Sequence, residues 1–345
     1  MPLLFLGYLI FIGYVHNLNI KKYTGKTILI GEPYNENYIK WYKWQKNIVD
    51  IDIIAIGSSR VLQFKSEFFS KPFFNLGYLV GTPKQTLQLI QEIKIKNKTI
   101  IISLDQWAFN AAWGCCESDF IKPIEPNFLR SSISPGRLKD ILAFKVSPFI
   151  NSADNNILKI GAGANISLDG ITADGSYYYG KKYHGLLTNN RQLIGEDYQF
   201  FNTIDRIKKG DRRFQYGTES YQTALDEFED LVKYNIEKGN NVVYFFPPFA
   251  PTIQNLLKTN NYIYISDASV KIKRISDKYK VDFFDFTFLE SKDEMYIDGF
   301  HGGSELYYNL LKLMGLSIKN CNFQNRYETS TDRDLSLERE KIFDK

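Results

Sequence analysis

The sequence predicts a doubly wound α/β fold: a central parallel sheet of about five strands, with a long insertion between the third and fourth. Three observations carry this expectation. Short, apolar, β-rich runs recur at Ile51 to Ile56, Phe73 to Asn75, Thr99 to Leu104, Asn241 to Phe246 and Val281 to Phe286. They are continuous rather than alternating, as strands buried on both faces are, and amphipathic helical patterns separate most of them. Chemically distinctive residues also stand just after the strand ends, where open α/β sheets place their ligand crevice.

In chain order, residues 1–18 hold the almost wholly apolar segment Pro2 to Val15. It is shorter than the roughly 20 residues a helix needs to span a bilayer. No basic residue precedes it and no small-x-small cleavage site follows, which favours a membrane anchor over a signal peptide. Lys21 and Lys22 argue for a cytoplasmic flank by the positive-inside rule, in conflict with an exported domain. Residues 19–50 are expected to form a linker and an N-terminal helix, and residues 51–316 the α/β domain.

Within that domain, Thr82 caps a helix that Pro83 opens and that runs to about Lys96, with Leu87, Ile90 and Ile93 on one face. Thr218 or Ser220 caps the next, which carries Leu225, Phe228, Leu231 and Val232 and closes at Gly239. A third spans about Asp267 to Tyr279. The last runs from Ser304 to Gly315 and packs Leu306, Leu310, Leu313 and Met314. The rhythm stops over about residues 111–215, an insertion containing Gly161-Ala-Gly-Ala164, the cluster Tyr177-Tyr178-Tyr179 and the stretch around Lys181, Lys182 and His184. So long an insertion is more often a lid or binding wall than a passive loop. Residues 317–345 read as a polar, solvated tail.

Composition narrows the function classes. A formal charge of +4 on 345 residues, with no continuous basic stripe, argues against nucleic acid. The aromatic fraction of 15% suits a packed core and equally a carbohydrate-facing surface. Cys115, Cys116 and Cys321 have no metal-ligand spacing and leave the redox compartment open. Nothing calls for a cofactor or a metal.

The chemistry concentrates at two places. The run Ile51 to Ile56 breaks at Gly57 into Ser58-Ser59-Arg60 and the expected start of an amphipathic helix, a junction where α/β folds place nucleophiles. Far along the chain stands Asp298-Gly-Phe-His301. A serine hydroxyl is a weak nucleophile until an imidazole takes its proton, and the imidazole needs a carboxylate to fix its tautomer. An acid and a histidine three residues apart can meet within one turn. At a helix start, Ser59 would also gain unpaired backbone N–H groups for an oxyanion. Each feature has a plain rival: the serines as a helix cap, Asp298 and His301 as a satisfied turn, Arg60 as the partner of a surface acid.

These residues resemble the SGNH, or GDSL-like, hydrolase family. Its Gly-Asp-Ser-x block stands here as Gly57-Ser58-Ser59-Arg60 and its Asp-x-x-His block as Asp298 to His301. The resemblance covers roughly residues 50–110 and 240–316. It implies a three-layer, flavodoxin-like domain in which Ser59 is the nucleophile, His301 the general base and Asp298 its orienting acid. It also implies an oxyanion hole built from the N–H groups of Ser59 and Gly77. The family's third block, Gly-x-Asn, is altered: the strand leads into Asp105-Gln106-Trp107-Ala-Phe-Asn110. An ionised Asp105 cannot donate to an oxyanion, so Asn110 or Gln106 would supply the missing donor, or two backbone donors suffice. Arg60, Asp105 and Trp107 are assigned to substrate binding.

With Phe245-Phe-Pro-Pro-Phe-Ala-Pro251, the chain looks like the membrane-tethered SGNH-like proteins of surface-polysaccharide gene clusters, and it is distantly similar to a family that helps D-alanylate lipoteichoic acid. The resemblance implies an esterase or O-acyltransferase, with acetyl the expected acyl group, working in the cell envelope. Its partners would be an acylated glycan or acyl donor and membrane-bound polysaccharide-assembly proteins. The rival expectations are a catalytically silent glycan-binding or scaffolding module, and a nucleotide or phosphate binder using the serine-rich turn as an anion site.

Overall fold

The computed structural model describes residues 27–30, 50–114, 119–121, 157–160, 170–179 and 195–321, with Asn37, Lys40, Trp41, Trp44 and Pro123. The apolar segment Pro2 to Val15 expected to be an anchor, Cys115 and Cys116, His16, His184, Gly161 to Ala164, Lys181, Lys182 and the tail beyond Cys321 lie outside the described residues. Among the described residues no helix is long and apolar enough to cross a membrane.

The strands in chain order are β1 Thr27–Ile30, β2 Ile53–Gly57, β3 Phe73–Gly77, β4 Thr99–Ser103, β5 Ile157–Ile160, β6 Gly170–Ile171, β7 Tyr177–Tyr178, β8 Asn241–Phe246 and β9 Asp282–Asp285. The helices longer than one turn among the described residues are α1 Pro83–Glu92, α2 Phe201–Lys209, α3 Gln222–Glu237, α4 Pro251–Thr259, α5 Ile263–Tyr279 and α6 Ser304–Leu313, and Ala111–Gly114 forms a single turn. Thr82 caps α1 as its spacing predicts, the hydroxyl accepting from Gln85 N–H at 3.2 Å.

The main sheet has five parallel strands in the order β3-β2-β4-β8-β9. Numbered by appearance within this sheet the order is 2-1-3-4-5, the flavodoxin-like doubly wound arrangement. Alternate side chains feed two cores. Ile54, Ile56, Ile100, Ile102, Tyr244 and Phe246 meet α1, α3 and α5 on one face. Ile53, Ala55, Ile101, Val243 and Phe245 meet Tyr307, Leu310 and Leu311 of α6 on the other. Strands buried on both faces explain the unbroken apolar runs. The sheet reverses order at β2, so the crevice expected of such a sheet opens beyond Gly57, at the two serines.

A second, four-stranded sheet runs β5-β1-β6-β7. It joins residues 27–30, expected to be linker, to the insertion: Thr27–Ile30 pairs in parallel with Ile157–Ile160, and Ile30 pairs with Ile171. The polar tail is also tied down at its beginning, where Lys319 N–H donates to Phe68 O at 2.8 Å and Ile318 bridges Phe69.

Candidate active site

Gly57 ends β2 at φ +154°, and a Cβ there would stand 2.8 Å from that of Ser103, so no side chain fits between the ends of β2 and β4. Ser58 caps the turn that follows, its hydroxyl accepting from Arg60 N–H at 3.2 Å. Ser59 opens a single 3₁₀ turn, Ser59–Val61, rather than the expected amphipathic helix, so no long-helix dipole stands behind it. Fully buried Asn75 holds this turn: its amide donates to Val61 O at 2.7 Å and Phe64 O at 2.9 Å.

The insertion straps the same turn from outside. Tyr177 N–H donates to Leu62 O at 3.0 Å, and the Gln63 amide to Tyr177 O at 2.6 Å. Asp174 accepts from Ser66 N–H at 2.7 Å, and its own carbonyl accepts from Asn75 N–H at 2.7 Å. Burial pushes the Asp174 carboxyl up, but the Ser176 hydroxyl and Ser66 N–H outweigh it and hold it below its ordinary value. Gly175 makes the close approach possible: its φ is +81°, and a Cβ would lie 2.2 Å from Asn75 O. Gly175→Ala is expected to cost about 2 kcal/mol, through the left-handed backbone and the clash. A thermal melt indistinguishable from wild type would show that the strap yields freely.

Ser59, His301 and Asp298 meet. Ser59 Oγ lies 2.7 Å from His301 Nε2, and His301 Nδ1 lies 2.6 Å from Asp298 Oδ2. The other carboxylate oxygen accepts from the N–H groups of Phe300 at 3.0 Å and His301 at 2.8 Å. Burial works against ionising Asp298, but the His301 ring and these N–H groups prevail and hold its pKa below the ordinary value. An ionised carboxylate only accepts, so Nδ1 carries the proton, Nε2 is the acceptor, and the Ser59 hydroxyl donates to it. Asp197 braces this loop, accepting from Gly299 N–H at 3.1 Å and from Thr203 N–H and hydroxyl at 2.8 Å each. Tyr179, from the insertion, sets its ring 6.2 Å from that of His301 and forms one wall. Burial, and then the Asp298 charge, keep its phenol protonated well above its usual range.

The residues assigned to substrate binding are placed differently. Arg60, Asp105 and Trp107 are 1%, 2% and 4% exposed, so none presents a surface to a ligand. The Arg60 guanidinium donates to Phe300 O at 3.1 Å, Gln106 Oε1 at 2.6 Å, Pro247 O at 2.9 Å and Pro248 O at 2.7 Å. It therefore binds the Ser59–Val61 turn to the loops after β4 and β8 and to the residue before His301. Trp107 packs edge-on to Phe214, Phe249 and Phe300. Asp105 lies 3.9 Å from Arg60, with neither oxygen in a hydrogen bond of full geometry. Burial raises its pKa, against the pull of Arg60 and the Ser58 hydroxyl.

The oxyanion donors also differ. Gly77 N–H is taken by Asn75 Oδ1 at 2.8 Å. The Asn110 amide donates to Gln215 O at 2.7 Å and Tyr216 O at 3.2 Å. The Gln106 amide donates to Pro247 O at 2.7 Å and Thr287 Oγ1 at 2.9 Å. Of the expected donors only Ser59 N–H has no acceptor among the described residues. Asn75 had a sequence signal, a lone polar residue in a buried strand. Tyr179 belongs to the tyrosine cluster of the insertion, whereas Gln63 and Asp197 had no comparable signal.

No protein-family model matches the chain, and no curated protein matches it. Among the described residues no cluster of His, Cys, Asp and Glu is arranged to hold a metal ion. The case for chemistry therefore rests on the three side chains at the sheet's reversal point.

Proposed function

We propose that the chain is an SGNH-type serine esterase or O-acyltransferase that acts on acyl groups of an extracytoplasmic polysaccharide in the cell envelope. The continuous Ser59–His301–Asp298 relay, with links of 2.7 and 2.6 Å, carries this reading. Ser59 Oγ attacks the acyl carbonyl carbon as its proton passes to Nε2. The oxyanion leans on Ser59 N–H, and the leaving alcohol takes the proton from Nε2 as the C–O bond breaks. Water (hydrolysis) or a sugar hydroxyl (transfer) then gives its proton to Nε2 and attacks the acyl-enzyme carbonyl, and the acyl–Oγ bond breaks as Nε2 returns that proton to Ser59 Oγ. The Asp298 charge stabilises the imidazolium formed in each step.

A fluorophosphonate tests the nucleophile: Oγ displaces fluoride at phosphorus and leaves a covalent adduct. Wild type is expected to label and Ser59→Ala to be spared. Labelling that persists in Ser59→Ala would falsify the assignment.

One observation favours a second reading, a silent glycan-binding module: Gly77, Gln106 and Asn110 spend their donors internally. Each missing oxyanion donor costs about 10²–10³ in rate, which predicts a slow site before a dead one. Absence of labelling in wild type, with glycan binding that survives Ser59→Ala and His301→Ala, would select the silent module.

A further inference from the structure

One ring away from His301 stands an arginine that forms no ion pair among the described residues. Arg213 lies in the short turn Arg212–Phe214, and three constraints fix that turn. The Phe214 ring is buried against Trp107, Phe249 and Phe300, with centroids 6.2, 6.4 and 5.8 Å away. The Phe214 carbonyl accepts from the buried Tyr262 hydroxyl at 2.6 Å. Arg212 takes a left-handed backbone, φ +53°. The half-buried Arg213 guanidinium is thereby laid against three rings, 5.0 Å from the centroid of Trp107, 5.8 Å from Phe300 and 5.9 Å from Trp113. The Phe300 ring is 4.4 Å from that of His301, so the guanidinium sits one ring away from the base.

Stacking holds a guanidinium by its face and leaves its N–H edge unspent. Among the described residues, that edge meets no carboxylate within ion-pair distance and no hydrogen-bond acceptor. Nearby Arg206 is in the same condition: it lies over Phe214 at 5.1 Å with its Nε buried and unpartnered. Burial lowers the Arg206 pKa, and the charges of Arg213 and Arg212 lower it further. The carboxylates around them are committed elsewhere: Asp211 faces Arg212 at 3.8 Å, Asp197 holds Thr203 and Gly299, and Asp105 is sealed beneath Arg60. Asp105 feels the Arg213 charge, and Asp211 and Asp197 that of Arg206, yet among the described residues neither guanidinium is in an ion pair. The edge of the site thus carries a ring-backed guanidinium, a form that suits bidentate capture of a carboxylate or phosphate.

We propose that Arg213 is an anion subsite beside His301, holding a carboxylate or phosphate on the sugar that carries the acyl group, so that the site selects acidic over neutral glycans. The subsite rests on the esterase reading of Ser59. Methyl glucuronide, glucose 6-phosphate and methyl glucoside, each O-acetylated, are compared as substrates of the full chain. Wild type is expected to favour one acidic ester over the neutral one by about 10- to 100-fold in kcat/KM, mostly through KM, and the favoured ester identifies carboxylate or phosphate. Arg213→Met, which keeps an apolar stem on the rings, is expected to bring the ratio close to one. Arg213→Lys keeps charge without the fork and is expected to retain part of it. Equal turnover of neutral and acidic esters by wild type, or a preference that survives Arg213→Met, overturns the subsite. If wild type turns over no ester, the esterase reading fails by itself, and calorimetry with the unacetylated sugars decides the subsite. Anionic sugar binding that is lost in Arg213→Met upholds it, and binding indifferent to the sugar's charge or to Arg213 ends it.

Discussion

Asp298→Asn is expected to leave the fold intact and to slow fluorophosphonate labelling of Ser59 by about 10⁴-fold, the loss seen when a triad aspartate becomes an amide. The asparagine carbonyl can still accept from the N–H groups of Phe300 and His301, now satisfied at 3.0 and 2.8 Å, so the loop keeps its shape. What changes is the group facing Nδ1. An amide N–H there drives the imidazole proton to Nε2, and an Nε2 that bears a proton cannot take another from Ser59. The pH dependence separates this effect from loss of folding. Because the Asp298 pKa is held below its ordinary value of 3.8, its ionised ties stabilise the native state above that value and are lost only as pH falls below it. Asp298→Asn should therefore fold but melt below wild type at neutral pH, with the difference shrinking as the pH falls and wild type loses the same contribution. Labelling within tenfold of wild type would mean that His301 does not depend on Asp298 for its tautomer.

Arg60→Met is expected to be the most destabilising single change. It leaves the carbonyls of Phe300, Pro247 and Pro248 and the Gln106 side chain without a donor, and it leaves Asp105 buried without its nearest cation. Breaking a buried, hydrogen-bonded pair from one side costs about 3–5 kcal/mol, which for a domain of this size lowers the melting temperature by about 6–20 °C. The sign of the pH effect is fixed by Asp105. Burial raises its folded pKa above 3.8, so the folded state holds its proton more tightly than the unfolded chain, and stability falls as pH rises through that window. Arg60 is the first charge opposing that rise, and its loss should extend the fall to higher pH and enlarge its total. Asp105→Asn added to Arg60→Met should recover part of the stability at neutral pH. A single mutant melting within a degree or two of wild type would show that water replaces the guanidinium without penalty.

The parts legible in the sequence were those written locally. Four of the main strands appear as largely apolar runs because both of their faces are buried, whereas the edge strand β9, Asp282–Asp285, is only partly covered, and Thr82, Pro83 and Gly239 punctuate helices where caps and a left-handed turn (Gly239 φ +67°) require them. Asp298 and His301 could be paired from a spacing of three, whereas their union with Ser59 closes 242 residues of chain. The small sheet left no local trace. Its strands are two to four residues long, and their pairing, such as Thr27 with Ile157, comes from distant parts of the chain. Arg60 was misassigned because sequence displays a charge but not its burial. Gly77 was misassigned because the acceptor that captures its N–H belongs to Asn75, two residues upstream, on a side chain whose direction only the folded strand defines.

The strap formed by residues 170–179 also bears on the order in which the molecule is put together. Its bonds to the nucleophile turn close 114 residues of chain between Gln63 and Tyr177 and 108 between Ser66 and Asp174. Contacts of such separation become favourable only after nearer pairings have paid the cost of drawing the chain together. The β2-β3 pair and α1 draw on a short stretch of polypeptide, but the enclosure around Ser59 waits for the insertion, and the contact with His301 waits for a residue 242 positions further on. A chain interrupted before His301 carries Ser59 without the imidazole that its hydroxyl meets in the folded molecule.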